Sequence, residues 1–159
     1  NAKQNMTYFP RVWLRYVDDI FAIFNKNQDL QNFINQLNTF YPTIKFTCEI
    51  ETNSSLPFLD VLVKRNNGDI EYDIYRKPTC NNRYIPHDSN HPPSQKRAAF
   101  HTMIYRLLTT PLKHNEYMKE IRNIKSIAAF NGYLTKLIDS LLKKQKKNLS
   151  KTYKDNFKK

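Results

Sequence analysis

The sequence predicts an α+β chain: two β-hairpins, one helix and one strand, followed by a basic three-helix bundle. Three observations predict it. Apolar residues of the first half fall mostly in short, strand-like runs, one of them strictly alternating. From Ser94 onward they recur at helical spacing instead. The charge divides at the same place. Residues 96–159 hold 16 of the 26 Lys/Arg and 4 of the 14 Asp/Glu, the whole excess of +12, whereas residues 1–95 are balanced at 10 and 10.

A hydrophobic content of 40% with 13% aromatics describes a folded chain, and 159 residues suffice for one ordinary core and a small helical appendage. Two Cys, Cys48 and Cys80, are too few for a disulfide framework. No apolar run approaches the roughly 20 residues of a membrane span, and no signal-peptide pattern opens the chain. The expectation is an intracellular protein, nuclear or cytoplasmic, in a reducing compartment. The chain begins at Asn1 in mid-pattern, as a fragment does.

The first element is the hairpin Val12–Phe24, whose apolar strands run up to the adjacent carboxylates Asp18 and Asp19 at its tip. No Gly or Asn supplies the positive φ that tight hairpin turns favour, and local rules are most often broken at functional sites. Asn27 then caps a helix with Leu30, Phe33, Ile34, Leu37, Phe40 and Tyr41 on one stripe, stopped by Pro42. Ile44, Phe46, Cys48 and Ile50 alternate with Lys45, Thr47, Glu49 and Glu51, which predicts a half-buried strand with Cys48 in the core. Asn67-Gly68 is a type I′ turn signal between Leu59–Arg65 and Ile70–Arg76. A two-residue loop there sets Asn66 against Asp69, Lys64 against Glu71, Val63 against Tyr72 and Val61 against Ile74.

Residues 76–94 form a Pro- and Asn-rich connection, long enough to be functional or to link domains. Ser94 caps the next helix, with Ala99, Phe100, Met103, Ile104, Leu107 and Leu108 inward and Pro111 beyond its end. A further helix starts near Asn115, turns Tyr117, Ile121, Ile124 and Ala128 inward, and ends at Asn131-Gly132. The last carries Leu134, Leu137, Ile138, Leu141 and Leu142. The domain reading is 1–78, a connector 79–94, a helical domain 95–147, and a basic tail 148–159 expected to be disordered.

Two carboxylates about 6 Å apart repel by roughly 3 kcal/mol at an effective dielectric of about 20, a cost that a hard divalent cation removes. Two such ions can activate a 3′ hydroxyl and stabilise a leaving pyrophosphate. The bland alternative is a solvated Asp-Asp turn. The basic excess points to a polyanion, most often nucleic acid. Arg76, Lys77 and Arg83 cluster in the connection, and Lys96, Arg97 and Arg106 lie off the apolar stripe of the following helix. These are candidate phosphate contacts, with Tyr75, Tyr84 and Tyr105 interleaved. Cys80, His87 and His91 have loose zinc-ligand spacing, but Pro86, Pro92 and Pro93 argue against the helix that would bring the two histidines together.

Tyr16-Val17-Asp18-Asp19, "IKFTCEIE" (44–51), "LPFLDVLVKR" (56–65), "YRKPTCNNRYIPHDSNHPPSQKR" (75–97) and "NGY" (131–133) occur in the order found in Penelope-like retroelement reverse transcriptases. The chain resembles the C-terminal palm and thumb of that family over roughly residues 9–145. The resemblance implies a partial polymerase palm in 1–78 and a thumb in 95–147. It assigns Asp18 and Asp19 to two Mg²⁺ ions, Tyr16 to the primer end, Lys45 to a proton-donating lysine, and the hairpin 58–76 to the primer grip. Its partners would be an RNA template, a DNA primer and a dNTP. The family also uses an aspartate on an earlier palm strand and a fingers domain, for which 17 residues before Asp18 leave no room. The expectation is a reverse-transcriptase fragment without polymerase activity alone. Two alternatives stand beside it: a non-catalytic nucleic-acid-binding helix-turn-helix in the last two helices, and a structural remnant with no nucleic-acid role.

Overall fold

The computed structural model describes residues 8–156, with side chains through Thr152. It is mixed α+β, with two small antiparallel sheets and four helices in the order β1 (Val12–Tyr16), β2 (Asp19–Ile23), α1 (Leu30–Phe40), β3 (Ser55–Phe58), β4 (Val61–Asn66), β5 (Asp69–Ile74), α2 (Pro93–Thr109), α3 (His114–Phe130) and α4 (Thr135–Asn156). The chain divides into two compact units, one ending at Leu59 and one beginning at Asp60.

The first unit is built on aromatic rings. Phe33 of α1 is 1% exposed and is the hub. Tyr8, Phe9, Trp13 and Phe24 surround it at ring separations of 6.0, 6.3, 5.9 and 4.9 Å, three of them edge-on, the geometry the ring quadrupoles favour. The α1 cap is Asp29 rather than Asn27: its carboxylate accepts the Asn32 amide at 3.0 Å. This places the cap immediately before the apolar stripe begins at Leu30, where it satisfies one of the unpaired amides of the first turn.

The predicted strand over 44–51 does not form. The backbone there is irregular, Ile44, Cys48 and Ile50 are exposed, and only Phe46 is half-buried. Asn38 of α1 meets both backbone groups of Phe46, accepting its amide at 2.6 Å and donating to its carbonyl at 3.1 Å. Alternation alone makes no strand, because a strand needs a neighbouring edge to take its hydrogen bonds.

The β4–β5 hairpin of the second unit has the predicted register throughout: Asn66 faces Asp69, Lys64 faces Glu71, Val63 faces Tyr72 and Val61 faces Ile74. Asn67 at φ 50° and Gly68 at φ 93° form the turn. One detail differs. Lys64 reaches diagonally to Asp73 at 3.0 Å, and Glu71 instead accepts from Asn66 and Lys113.

The core of this unit lies among α2, α3 and α4. Phe100, Ile104, Ile124 and Ala128 are fully buried, joined by Met103, Leu107, Ile127, Tyr133, Ile138 and Leu141. Helix α2 begins at Pro93 rather than at a Ser94 cap. Proline at the first helical position has no amide to leave unpaired and a φ already suited to the helix. Leu134 is 80% exposed instead of inward, because it lies in the turn before α4 begins. Helix α4 also runs on to Asn156, well into the stretch expected to be a disordered tail. From Thr135 onward the sequence contains no Gly or Pro and is rich in Lys and Leu, both good helix formers. The last part of that tail, 157–159, lies outside the described residues.

Candidate nucleic-acid interface

The β1–β2 register pairs Tyr16 with Asp19, which makes Val17-Asp18 the two-residue loop. The tip is therefore one residue earlier than the sequence pattern implies, with Asp18 in the turn and Asp19 on the strand. Val17 supplies the positive φ, 54°, a conformation that a β-branched side chain resists. Arg15 braces the turn by donating from Nε to the Val17 carbonyl at 2.7 Å. Tyr16 and Asp19, being direct cross-strand partners, leave the sheet on the same side. Tyr16, Val17, Asp18 and Asp19 are all exposed. Two exposed carboxylates are hard oxygen donors of the kind Mg²⁺ accepts alongside substrate phosphates. Among the described residues, no cluster of three or more His, Cys, Asp or Glu side chains forms, so Cys80, His87 and His91 do not converge. Lys45 is exposed in the irregular 44–51 segment.

The basic candidates of the second unit fall into two groups. Arg76, Lys96 and Arg106 are held within the protein. Arg76 makes a two-pronged ion pair with Glu120, Nη1 meeting Oε2 at 2.8 Å and Nη2 meeting Oε1, and that pairing raises the guanidinium pKa against the opposing effect of burial. Lys96 donates to the His87 carbonyl at 2.7 Å, and Arg106 pairs with Asp60 at 2.5 Å. Lys77, Arg83 and Arg97 are exposed and form no ion pair with a described residue. Glu120, itself 5% exposed, is a residue the sequence reading passed over. Its signal was its position, three residues after Tyr117 and within the inward stripe of α3, where a carboxylate needs a partner.

Helix α4 adds cations that composition did not place. Lys136, Lys143, Lys147 and Lys151 are exposed. Their spacing of i, i+7, i+11 and i+15 sets them on one face, roughly opposite the buried Ile138 and Leu141. The row became readable only once α4 was seen to continue past Leu142.

The Pro- and Asn-rich connection is ordered by the turn between α3 and α4. Asn131, 7% exposed, accepts the Tyr84 amide at 2.8 Å, donates to the Asn82 and Ile127 carbonyls at 2.9 and 2.8 Å, and its backbone carbonyl takes the His87 amide at 3.0 Å. Tyr133 donates its hydroxyl to the Ile85 carbonyl at 2.7 Å and packs edge-on against Phe100 and His87. Burial raises the Tyr133 pKa, which keeps the donor protonated. Gly132 between them has φ 82°, and a Cβ there would lie 3.5 Å from His87 Cβ.

The four-residue turn 131–134 thus joins two long helices, with a glycine at the bend. Residues 83–143 match the family model of the animal helix-turn-helix domain. The match covers α2, α3, the turn, the start of α4 and the end of the connection. No curated protein and no solved structure matches the chain. Among the described residues no helix is long and apolar enough to cross a membrane.

Proposed function

We propose that the helical unit is a nucleic-acid-binding module of helix-turn-helix type. The observation that carries this reading is the helix-turn-helix match over 83–143. The lysine row on the solvent face of α4 supports it. Lysines four residues apart on a helix lie about 6 Å apart along its axis, close to the spacing of successive phosphates along a strand. Exposed Lys77, Arg83 and Arg97 add to the positive charge of the same unit. The test is fluorescence anisotropy of the whole chain with duplex and single-stranded oligonucleotides over a range of salt. Affinity is expected to fall steeply with salt, and Lys143→Ala with Lys147→Ala to reduce the slope by about 2. No binding at low salt, or a slope that the double variant leaves unchanged, overturns the reading.

A second reading is favoured by the acidic turn: that the chain is part of a Penelope-like reverse transcriptase, with the helical unit as its thumb. A strained Val17 presenting two exposed carboxylates is the kind of local cost that functional sites retain. Here Asp18 and Asp19 would hold Mg²⁺, which when bound activates the primer hydroxyl and stabilises departing pyrophosphate. Tyr16, on the same side as Asp19, would lie near the primer end, and Lys45 would serve the pyrophosphate. RNA template, DNA primer and dNTP are the partners this reading requires. Its test is Mg²⁺-dependent binding of a primer–template by the chain and by Asp18→Asn/Asp19→Asn. A Mg²⁺ response that the double variant loses supports it; an identical response in both leaves the hairpin without a metal role.

A further inference from the structure

Besides the lysine row, the helical unit has a concavity of 690 Å³, lined among others by Arg83, Tyr84, His87, Asp88, Phe130 and Gly132. This volume lies within the range of small-ligand clefts. One wall is the connection and the other is the end of α3 with the turn that follows.

The lining is unusual for this unit. The bundle buries Phe100 completely, yet leaves Phe130 64% exposed at the last position of α3. Asn131, buried and hydrogen-bonded on every side, fixes the turn immediately after Phe130. The ring is therefore presented on a rigid element, which lowers the entropy cost of using it. Arg83 and Asp88 line the same cavity, both exposed and neither in an ion pair with a described residue.

The chemistry of this trio narrows the ligand. A bare anion would meet Arg83 but be repelled by Asp88, and would have no use for Phe130. A purely apolar group would strand both charges. An aromatic ring bearing amino groups and joined to a phosphate uses all three: it stacks on Phe130, donates to Asp88, and places its phosphate near Arg83. We infer that this cavity binds one unpaired nucleotide of a nucleic acid, with a preference for bases that carry an exocyclic amine. The inference rests on the nucleic-acid reading above and adds to it a site for a single-stranded end or an extruded base.

The experiment compares, with the full chain, a duplex carrying a short single-stranded cytosine overhang, the same duplex with a thymine overhang, and the blunt duplex. Phe130→Ala is a surface change that the core should tolerate. Phe130→Ala is expected to weaken overhang binding by about fivefold or more, while blunt-duplex binding stays within about twofold. Phe130→Trp should retain the overhang advantage. Asp88→Asn should narrow the preference for cytosine over thymine. A 2-aminopurine in the overhang should be quenched by the parent chain and not by Phe130→Ala. Equal losses on blunt and overhang duplexes for Phe130→Ala, or no loss of overhang binding with it, overturn the cavity while leaving the lysine row intact. Absence of binding to all three duplexes at low salt overturns both.

Discussion

The two units solve the problem of stability with very different resources. The second buries ten apolar side chains in one continuous cluster, four of them with no exposure at all. Among its described residues the first buries only Pro10, Phe33 and Leu37. It depends on rings packed around a single phenylalanine, and it also accommodates a strained turn at exposed Val17 and the exposed Leu14 and Tyr16 of β1. The contrast teaches that the candidate chemistry of the acidic hairpin rests on the thinner support, whereas the proposed polyanion-binding surface rests on the thicker one. A site for transient, metal-dependent events can tolerate local opening; a docking platform gains from rigidity.

The sharpest way to break this comparison is to remove one ring from each unit. Phe33→Ala and Phe100→Ala should each cost about 3–5 kcal/mol. In the first unit that loss is expected to exceed what its small core holds, so the emission of Trp13, the sole tryptophan, shifts to that of a solvated indole. Phe100→Ala should lower the denaturation midpoint seen by far-ultraviolet ellipticity while a cooperative helical transition persists. If Phe33→Ala keeps a native Trp13 spectrum, the first unit is sturdier than its core implies.

A smaller effect concerns charge inside the second unit. Glu120→Gln leaves the Arg76 guanidinium half-buried without its counter-charge. It should destabilise by about 2–3 kcal/mol in chemical denaturation, somewhat below the cost of breaking a fully buried pair. Glu120→Ala with Arg76→Ala should be less damaging than the sum of the single changes, the non-additivity expected of a direct pair.

The acid limb of stability tests the same unit. Burial pushes the Asp73 pKa up, but hydrogen bonds from Lys64, Lys119 and the Ile74 amide outweigh it, so the folded value lies below the ordinary 3.8. A carboxyl depressed in this way contributes stability above 3.8 that is lost as pH falls through its folded value. Denaturation midpoints should therefore decline in that acid range, and Asp73→Asn should flatten the decline. The smallest change expected is a gain. Val17→Gly relieves the positive φ and should raise the stability of the first unit by roughly 1 kcal/mol, read from Trp13 emission.

What the sequence made legible were features enforced by neighbours in the chain. Asn67-Gly68 dictates its own turn, and with it every pairing from Val61 to Ile74. The stripes of α2 and α3 repeat often enough that no distant contact could reverse them. What escaped were outcomes decided across long separations. Residues 44–51 alternate perfectly, yet their fate was settled by the Asn38 amide capturing Phe46. Arg76 reads as a free cation until Glu120, 44 residues on, is seen to hold it. Asp18 and Asp19 read as a tip, but a one-residue difference in register puts Val17 in the strained position instead. Of the candidate site, the residue types were legible and their availability was not.

Asn131 carries a consequence for the order in which the chain acquires its structure. The connection from Asn82 to His87 takes its shape from hydrogen bonds to a residue 44 to 49 positions later. Contacts of such long sequence separation close slowly, because the loop entropy between them must be lost before the bonds form. The helices and the β4–β5 hairpin, made of local contacts, can assemble first. The cavity bounded by Arg83 and Phe130 then exists only after the α3–α4 turn has captured the loop, which makes it among the last features of this unit to form and among the first to be lost on heating.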